Sequence, residues 1–382
     1  MPSPLLSLSR RTRQTPFTSR VLSAGVRAFT VYNHMLLPTV FTSLEDDYRH
    51  LKTQVQLWDV ACERQVEIRG PHAARLTQML TPRDLAPMES GQCFYTPMVD
   101  ETGGMLNDPV LIRVAEDRFW VSVADSDLLF WIKGLAYAWH LEVDVSEPDI
   151  SPLAVQGPLA EDLMARVFGE RVREIRFFRF ETLEFQGAPL VVARSGYSKQ
   201  GGFEIYVTPN ELAGPLWDAL FAAGEDLDVR AGCPNLIERV ESGMLSYGND
   251  MTRENTPHEC GLARFCNTWE AIGCVGRDAL LRVARDGPVR QIRGFLIDGD
   301  RVDDCLEPWS VVADGELVGQ ITSAVWSPDA GTNVAIGMVS KAHWMPGTMV
   351  SVHTPSGERN AMVCSMPHRL PFAAHNAKQR EP

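Results

Sequence analysis

A chain of 382 residues is longer than one ordinary hydrophobic core organises, so two or three domains are expected. Its 45% hydrophobic and 22% charged residues are globular proportions. No apolar run reaches the roughly 18–20 residues of a membrane helix, and LLFWIKGLAYAW is broken by Lys133. A net charge of −13 speaks against coating nucleic acid, whose phosphates need a basic field, but leaves room for an anionic small molecule held by local arginines.

The first segment runs against this balance. SLSRRTRQTPFTSRV carries Arg10, Arg11, Arg13 and Arg20 with no acid. It reads either as a targeting peptide or as a basic arm folded onto the protein. Pro16 interrupts the amphipathic helix a targeting peptide needs, which favours the arm. The eight cysteines form no CxxC pair and show no zinc spacing. They read as small buried hydrophobes in a reducing, cytoplasmic setting, with no metal.

Residues 44–57 predict a helix, acids early and bases late. RQVEIRG alternates as a strand, and PHAARLTQML takes a helical period with Pro71 near its start. VLIRVAE and RFWVSVA form a strand pair, and DSDLLFWIKGLAYAWH a helix. The pattern then repeats: LAVQG a strand, PLAEDLMARVF a helix, TLEFQGAPLVVARS a hairpin, ELAGPLWDALFAAG a helix. Such an order predicts an α+β architecture with mixed or antiparallel sheets. From about Val289 the texture changes to short strands with turns between them, expected to close as a β-barrel. Residues 1–285 are therefore expected as one module of two intertwined α+β subdomains, 286–370 as a barrel domain, and 371–382 as a disordered tail.

Three segments are too polar and too glycine-punctuated to be filler. In the first, Asp100 to Pro109, Gly103 and Gly104 permit close backbone approach, and Asn107 and Asp108 then enter a strand where one must point inward. A plain tight turn is the competing reading. In the second, Arg194 to Tyr206, a glycine loop feeds FEIYV; alternation puts Glu204 and Tyr206 on one face and Phe203, Ile205 and Val207 on the core face. A carboxylate beside a phenol suits a ligand with two adjacent N–H donors, and a half-exposed strand is the plain alternative. In the third, Glu238 to Met251, Glu238, Glu241 and Leu245 share a helical side and YGND stops the helix; read plainly, these are solvated charges. Nucleotide-binding loops, serine-hydrolase elbows and zinc-peptidase helices are absent from the sequence.

The three segments together, GGMLND, GYSKQGGFEI and IERVESGMLSYGND, resemble the folate-binding aminomethyltransferase family, the T-protein of glycine cleavage, in order and spacing over residues 40 to 365. LAVQGPLAE, GRDAL and ITSAVWSP fit weaker motifs of that family. The resemblance implies a three-domain cloverleaf with a C-terminal β-barrel around a central hole that binds tetrahydrofolate. It implies that Glu204 holds the pterin ring, and that Tyr95, Gly103, Asn107 and Tyr197 lie in segments lining the same hole.

Two departures sort the chain within the family. Asn107 stands where aminomethyltransferases have the expected catalytic acid, with Asp108 retained, and Asn235 stands where they have an arginine. LNDP, SYGNDMT, YNHMLLPT and the basic opening resemble instead the branch that demethylates dimethylsulfoniopropionate. A sulfonium leaves as a neutral thioether and needs no proton, so an acid at Asn107 would be idle. The resemblance then implies Asp108 and Tyr206 at the chemistry, and Phe17, Tyr32, Phe178, Tyr197 and Tyr206 as aromatic faces for the sulfonium. Ser122 or an arginine of the arm would meet the substrate carboxylate. Sulfonium and folate are the expected partners, without nucleic acid or membrane, and a homodimer is left open. An aminomethyltransferase, a demethylase of another donor and a non-catalytic folate binder are the alternatives.

Overall fold

The computed structural model describes residues 9–267 and 272–368. The expected tail at 371–382 lies outside them. The chain divides into two compact units. The first takes residues 1–77, 87–95 and 109–235; the second takes 78–86, 96–108 and 236–382. Two short N-terminal stretches, 78–86 and 96–108, thus belong with the C-terminal part of the chain.

The first unit holds two antiparallel-rich sheets. One has five strands in the order Asp144–Ser146, Gln65–Arg69, Arg118–Ser122, Val110–Ala115, Gln92–Tyr95. The other has six, in the order Phe180–Phe185, Ala188–Ala193, Gly202–Val207, Ser151–Gln156, Gln56–Asp59, Arg230–Gly232. The six-stranded sheet sorts its faces by alternation. Phe203, Ile205 and Val207, with Leu153, Val155 and Leu57, enter a large core shared with the helices Ala160–Phe168 and Ala213–Ala223. The residues between them, including Glu204 and Tyr206, point to the other face.

The predicted helix at 44–57 ends sooner, at Leu44–Thr53. Ser43 caps it by accepting from the Asp46 N–H at 3.1 Å. Gln56 and Trp58 then share one strand face and Leu57 the other, so the apolar residues assigned to a last helical turn form a fully buried strand. A hairpin, Ala28–Tyr32 with Met35–Val40, was not foreseen.

The basic arm is folded. Its Phe17 is fully buried in the large core, 6.1 Å from the Trp217 ring. Thr15 donates to buried Asp59 at 2.5 Å. Arg13 pairs with Glu147 at 2.8 Å, and Arg20 with Asp218 at 2.6 Å.

In the second unit six strands close a barrel in the order Arg290–Ile297, Thr332–Ser340, Glu316–Ser327, Trp309–Ala313, Met349–Thr354, Gly357–Cys364. Phe295, Trp309, Val311, Ile321 and Val363 are among the residues that fill it. The helix Leu236–Ser242 packs against the barrel, and the ribbon Met98–Val99 with Met105–Asn107 belongs to the same unit. Among the described residues no helix is long and apolar enough to cross a membrane.

Candidate functional site

In the first unit the strand Gly202–Val207 carries a buried carboxylate. Glu204 is 7% exposed and Tyr206 1% exposed, both on the face away from the large core. Cross-strand pairing puts Ala154 on one side of Glu204 and Ala193 on the other, with Trp58 beyond Ala154. Directly paired residues point to the same face, so small methyl groups flank the carboxylate where large side chains would bury it completely.

Its partners are hydroxyls. Ser195 donates a short hydrogen bond to a Glu204 carboxylate oxygen, and Tyr206 donates to the same group. Burial nevertheless dominates and raises the Glu204 carboxyl above its ordinary value, because desolvation disfavours the charge more than the two hydroxyls favour it. Tyr206 is pushed well above the ordinary phenol range by burial and by Glu204, Cys93 and Glu63, so it stays a protonated donor.

Ser122 and Phe178 join this cluster. Ser122 is hydrogen-bonded to Tyr206 and accepts from Gln65 Nε2 at 2.9 Å. Phe178 packs against an apolar group drawn from both sheets: Cys93, Ile112 and Trp120 from the five-stranded one, Val191, Ala193 and Tyr206 from the other. Trp120 and Tyr206 stand 5.8 Å apart between ring centroids, tilted by 41°. Trp120 was missed in the sequence, although its period-two relation to Ser122 was there to be used. Tyr95 ends the strand that carries Cys93, opposite Val110.

Tyr197 lies at the end of the same sheet face as Glu204, against Trp58, Val60, Ala154 and Leu51. Its loop is set by Gln156, fully buried, which donates to the Ser195 carbonyl at 3.2 Å and accepts from Ser198 at 2.7 Å. Two glycines are needed here. Any Cβ at Gly196 or Gly202 would fall 2.0 or 2.6 Å from Gln156 Nε2, and both glycines have positive φ.

The N-terminal segment carries the other expected residues. Phe17 sits in the large core on the opposite face of the sheet from Glu204 and Tyr206, so its ring packs there and does not share their cluster. Tyr32 is half-buried on the N-terminal hairpin. Of the arm's arginines, Arg13 and Arg20 are engaged by acids of the protein itself.

In the second unit two of the motif segments meet. Asp100 closes a turn through its side chain, accepting from the N–H groups of Thr102 and Gly104 at 2.9 and 3.0 Å. Gly103 takes a φ of +83° there. A Cβ on Gly104 would fall 2.2 Å from the Arg253 carbonyl, so this close approach requires glycine. The tight-turn reading therefore holds for Asp100 to Gly104. Asn107, beyond it, is fully buried in the strand, and Asp108 is half-buried.

The strand Met105–Asn107 is gripped by one segment distant in sequence, residues 247–255. Met105 donates to the Asn255 carbonyl at 2.8 Å, and Tyr247, 142 residues away in sequence, donates its hydroxyl to the Met105 carbonyl at 3.0 Å. Burial, then the charges of Asp108 and Asp100, raises the Tyr247 phenol above its ordinary value.

The charges of the third motif are buried and not solvated: Glu238 is 3% and Glu241 9% exposed. Arg239 pairs with Asp250 at 2.5 Å and donates to Ser323 at 2.7 Å. Asp250 also accepts from Ser323 and Thr322, at 2.7 and 2.8 Å, and from the Ser246 N–H at 2.9 Å. This network fixes the YGND loop to the barrel. Asn235 donates to the Leu44 carbonyl at 2.9 Å.

The family model described as the GCVT N-terminal domain matches residues 17–270, and that of the glycine cleavage T-protein C-terminal barrel domain matches 290–368. The chain belongs to the glycine cleavage T-protein family. It is 61% identical over 355 residues to the dimethylsulfoniopropionate demethylase DmdA of Ruegeria pomeroyi, covering 93% of this chain and 97% of that one. Identity to the aminomethyltransferase of Symbiobacterium thermophilum is 29% over 352 residues, or 89% of this chain and 92% of the other. The aminomethyltransferase T of Bartonella henselae shares the fold, with a TM-score of 0.83 at 24% identity over 93% of this chain and 98% of that one. The fold class is thus α+β of the aminomethyltransferase type, with its C-terminal barrel.

Proposed function

We propose that this T-protein relative transfers a methyl group from dimethylsulfoniopropionate to tetrahydrofolate, giving methylthiopropionate and 5-methyltetrahydrofolate. The S–CH₃ bond breaks with its electron pair left on sulfur, the lone pair of folate N5 forms the new N–CH₃ bond, and the N5 proton is lost to a base. No redox step enters.

One observation carries the folate half of this reading. Glu204 is a buried carboxylate flanked by two alanines, and its two hydroxyl partners occupy only part of the roughly four acceptor positions a carboxylate offers. Adjacent N–H donors of a pterin fit the remainder in a bidentate way. Tyr95, Tyr197, Gly103 and Asn107 are the further residues that the family resemblance assigns to folate.

For the sulfonium, Tyr206, Phe178 and Tyr197, with Trp120 added from the structure, supply aromatic faces, each worth about 0.5–2 kcal/mol toward a cation. Tyr32 stays a candidate from the N-terminal hairpin, and Ser122 is the donor assigned to the substrate carboxylate. Asp108, the carboxylate retained beside Asn107, is assigned the N5 proton. The leaving thioether is neutral, so the protein's work is alignment and exclusion of water. On this reading residues 1–285 form the folate-binding catalytic module and 286–370 its barrel. The partners are the sulfonium and folate, in the cytoplasm, without nucleic acid, and a homodimer is the assembly to test.

Purified protein with tetrahydrofolate and a panel of donors tests the reading. 5-Methyltetrahydrofolate should form from dimethylsulfoniopropionate. Its formation only from glycine betaine or a methoxy-aromatic would overturn the substrate, and 5,10-methylenetetrahydrofolate from aminomethyl-lipoyl protein would establish aminomethyl transfer instead.

A further inference from the structure

The carboxylate of Glu204 has little in its own surroundings on the sheet to fix its plane. The last torsion of a glutamate side chain is broad, and the flanking Ala154 and Ala193 methyls are too short to press on it. A ligand that offers two parallel N–H groups needs both carboxylate oxygens in its own plane. Something must set that plane.

Ser195 is placed to do so. It is 4% exposed, and its hydroxyl donates to Glu204 Oε2. A hydroxyl has one proton and an ionised carboxylate only accepts, so the direction of this bond is fixed. Ser195 is also held from two sides. On the far face of the sheet the guanidinium of its neighbour Arg194 lies 5.3 Å from the Phe203 ring centroid, pairs with Glu161, and donates to the Ile175 carbonyl at 3.2 Å. The Arg194 backbone is paired as well, its N–H with the Arg179 carbonyl at 2.9 Å and its carbonyl with the Phe178 N–H at 3.0 Å. Alternation then delivers Ser195 to the face of Glu204.

On that face the clamp is Gln156, fully buried at the end of the neighbouring strand and directly paired with Gly202. Its amide nitrogen donates to the Ser195 carbonyl at 3.2 Å, and its oxygen accepts from the Ser198 hydroxyl at 2.7 Å. A main-chain carbonyl can only accept, so the nitrogen must face Ser195. The Gly157 N–H donates to the Gly201 carbonyl at 3.0 Å, which closes the loop onto the strand end.

We propose that Ser195, clamped by Gln156, is a positioning residue that fixes the plane of the Glu204 carboxylate and thereby selects ligands with paired N–H donors. The inference rests on the reading of Glu204 as the pterin carboxylate. Without the Ser195 hydroxyl the carboxylate turns more freely, so it loses its preference for two parallel donors over one.

The test compares calorimetric affinities of the full-length protein for tetrahydrofolate and for its 2-desamino-2-methyl analogue, which lacks one of the paired donors. Wild type should prefer tetrahydrofolate by about tenfold to a hundredfold, the scale of one hydrogen bond to a charged group. Ser195→Ala should cut that ratio by about threefold or more, because hydrogen bonds weaken steeply as they lose alignment. Gln156→Met should cut it as well; if that variant does not fold by circular dichroism, Ser198→Ala takes its place. A ratio equal to wild type in folded Ser195→Ala overturns the proposal even where both affinities fall, since a merely structural role weakens both ligands alike. A ratio unchanged in the clamp variant alone overturns the clamp. A wild type that binds the two ligands equally refutes the pterin reading itself.

Discussion

Replacing Glu204 by glutamine separates binding from folding more cleanly than any other change in this protein. The amide keeps one acceptor oxygen and turns the other position into an NH₂ facing an N–H of the pterin. One charge-assisted hydrogen bond is lost, about 1.5–3 kcal/mol, and opposed donors add about 1–3 kcal/mol of unmet hydrogen bonding. A total on the order of 3–5 kcal/mol corresponds to a Kd raised roughly a hundredfold to several thousandfold. Stability should move the other way. Burial raises the Glu204 carboxyl above its ordinary 4.5, so the folded state holds that proton more tightly than the unfolded chain. This contribution is fully present below the unfolded value and is lost as pH rises through the folded one. At about pH 8 the wild type therefore carries a buried charge that the glutamine variant lacks, and the variant's Tm should be equal or higher, the difference shrinking toward about pH 4. Calorimetry with tetrahydrofolate and thermal unfolding across pH give both numbers. A variant that binds folate like wild type, or that loses folate only because it unfolds, removes Glu204 from the pterin site.

Asn107→Ala should retain substantial turnover per folded molecule with the sulfonium substrate; a fall in kcat beyond about a thousandfold, the scale of an essential acid or base, would show that Asn107 takes part in proton transfer. Asp250→Asn breaks a buried pair with Arg239 and should cost about 3–5 kcal/mol, read as a large drop in denaturant midpoint at unchanged slope. Asp59, pushed up to about 6 by burial, should make the wild type lose stability relative to Asp59→Asn as pH rises from about 4 to about 7. A pH-independent difference in unfolding free energy would contradict that.

The parts of the fold that alternation governs were legible in the sequence. FEIYV announced which side chains enter the core and which face away, and the turn-punctuated strands from Val289 announced the barrel. Where one residue type serves two structures, the reading slipped. VQL, Val55 to Leu57, reads in the sequence as the last turn of a helix over 44–57 because a short apolar run has no period of its own. Glu238 and Glu241 looked solvated because their partners, such as Ser327 for Glu241, are distant in sequence. Phe17 was grouped with ligand-facing aromatics because an aromatic ring carries no mark of which sheet face it will cover. Trp120 went unnoticed for a related reason. Its significance comes from a contact between sheets that is visible only once the chain is folded, whereas the GGMLND and YGND segments announced themselves by their glycines.

On the proposed reading the methyl group passes directly from sulfur to N5. The most direct measurement is a single turnover of the purified protein with ¹³C-methyl dimethylsulfoniopropionate and tetrahydrofolate, followed by NMR. Direct transfer gives one 5-methyltetrahydrofolate carrying the label for each methylthiopropionate formed, with a proton released and no oxidant consumed. Label appearing as methanol or formaldehyde, or methylthiopropionate forming without tetrahydrofolate, would contradict it.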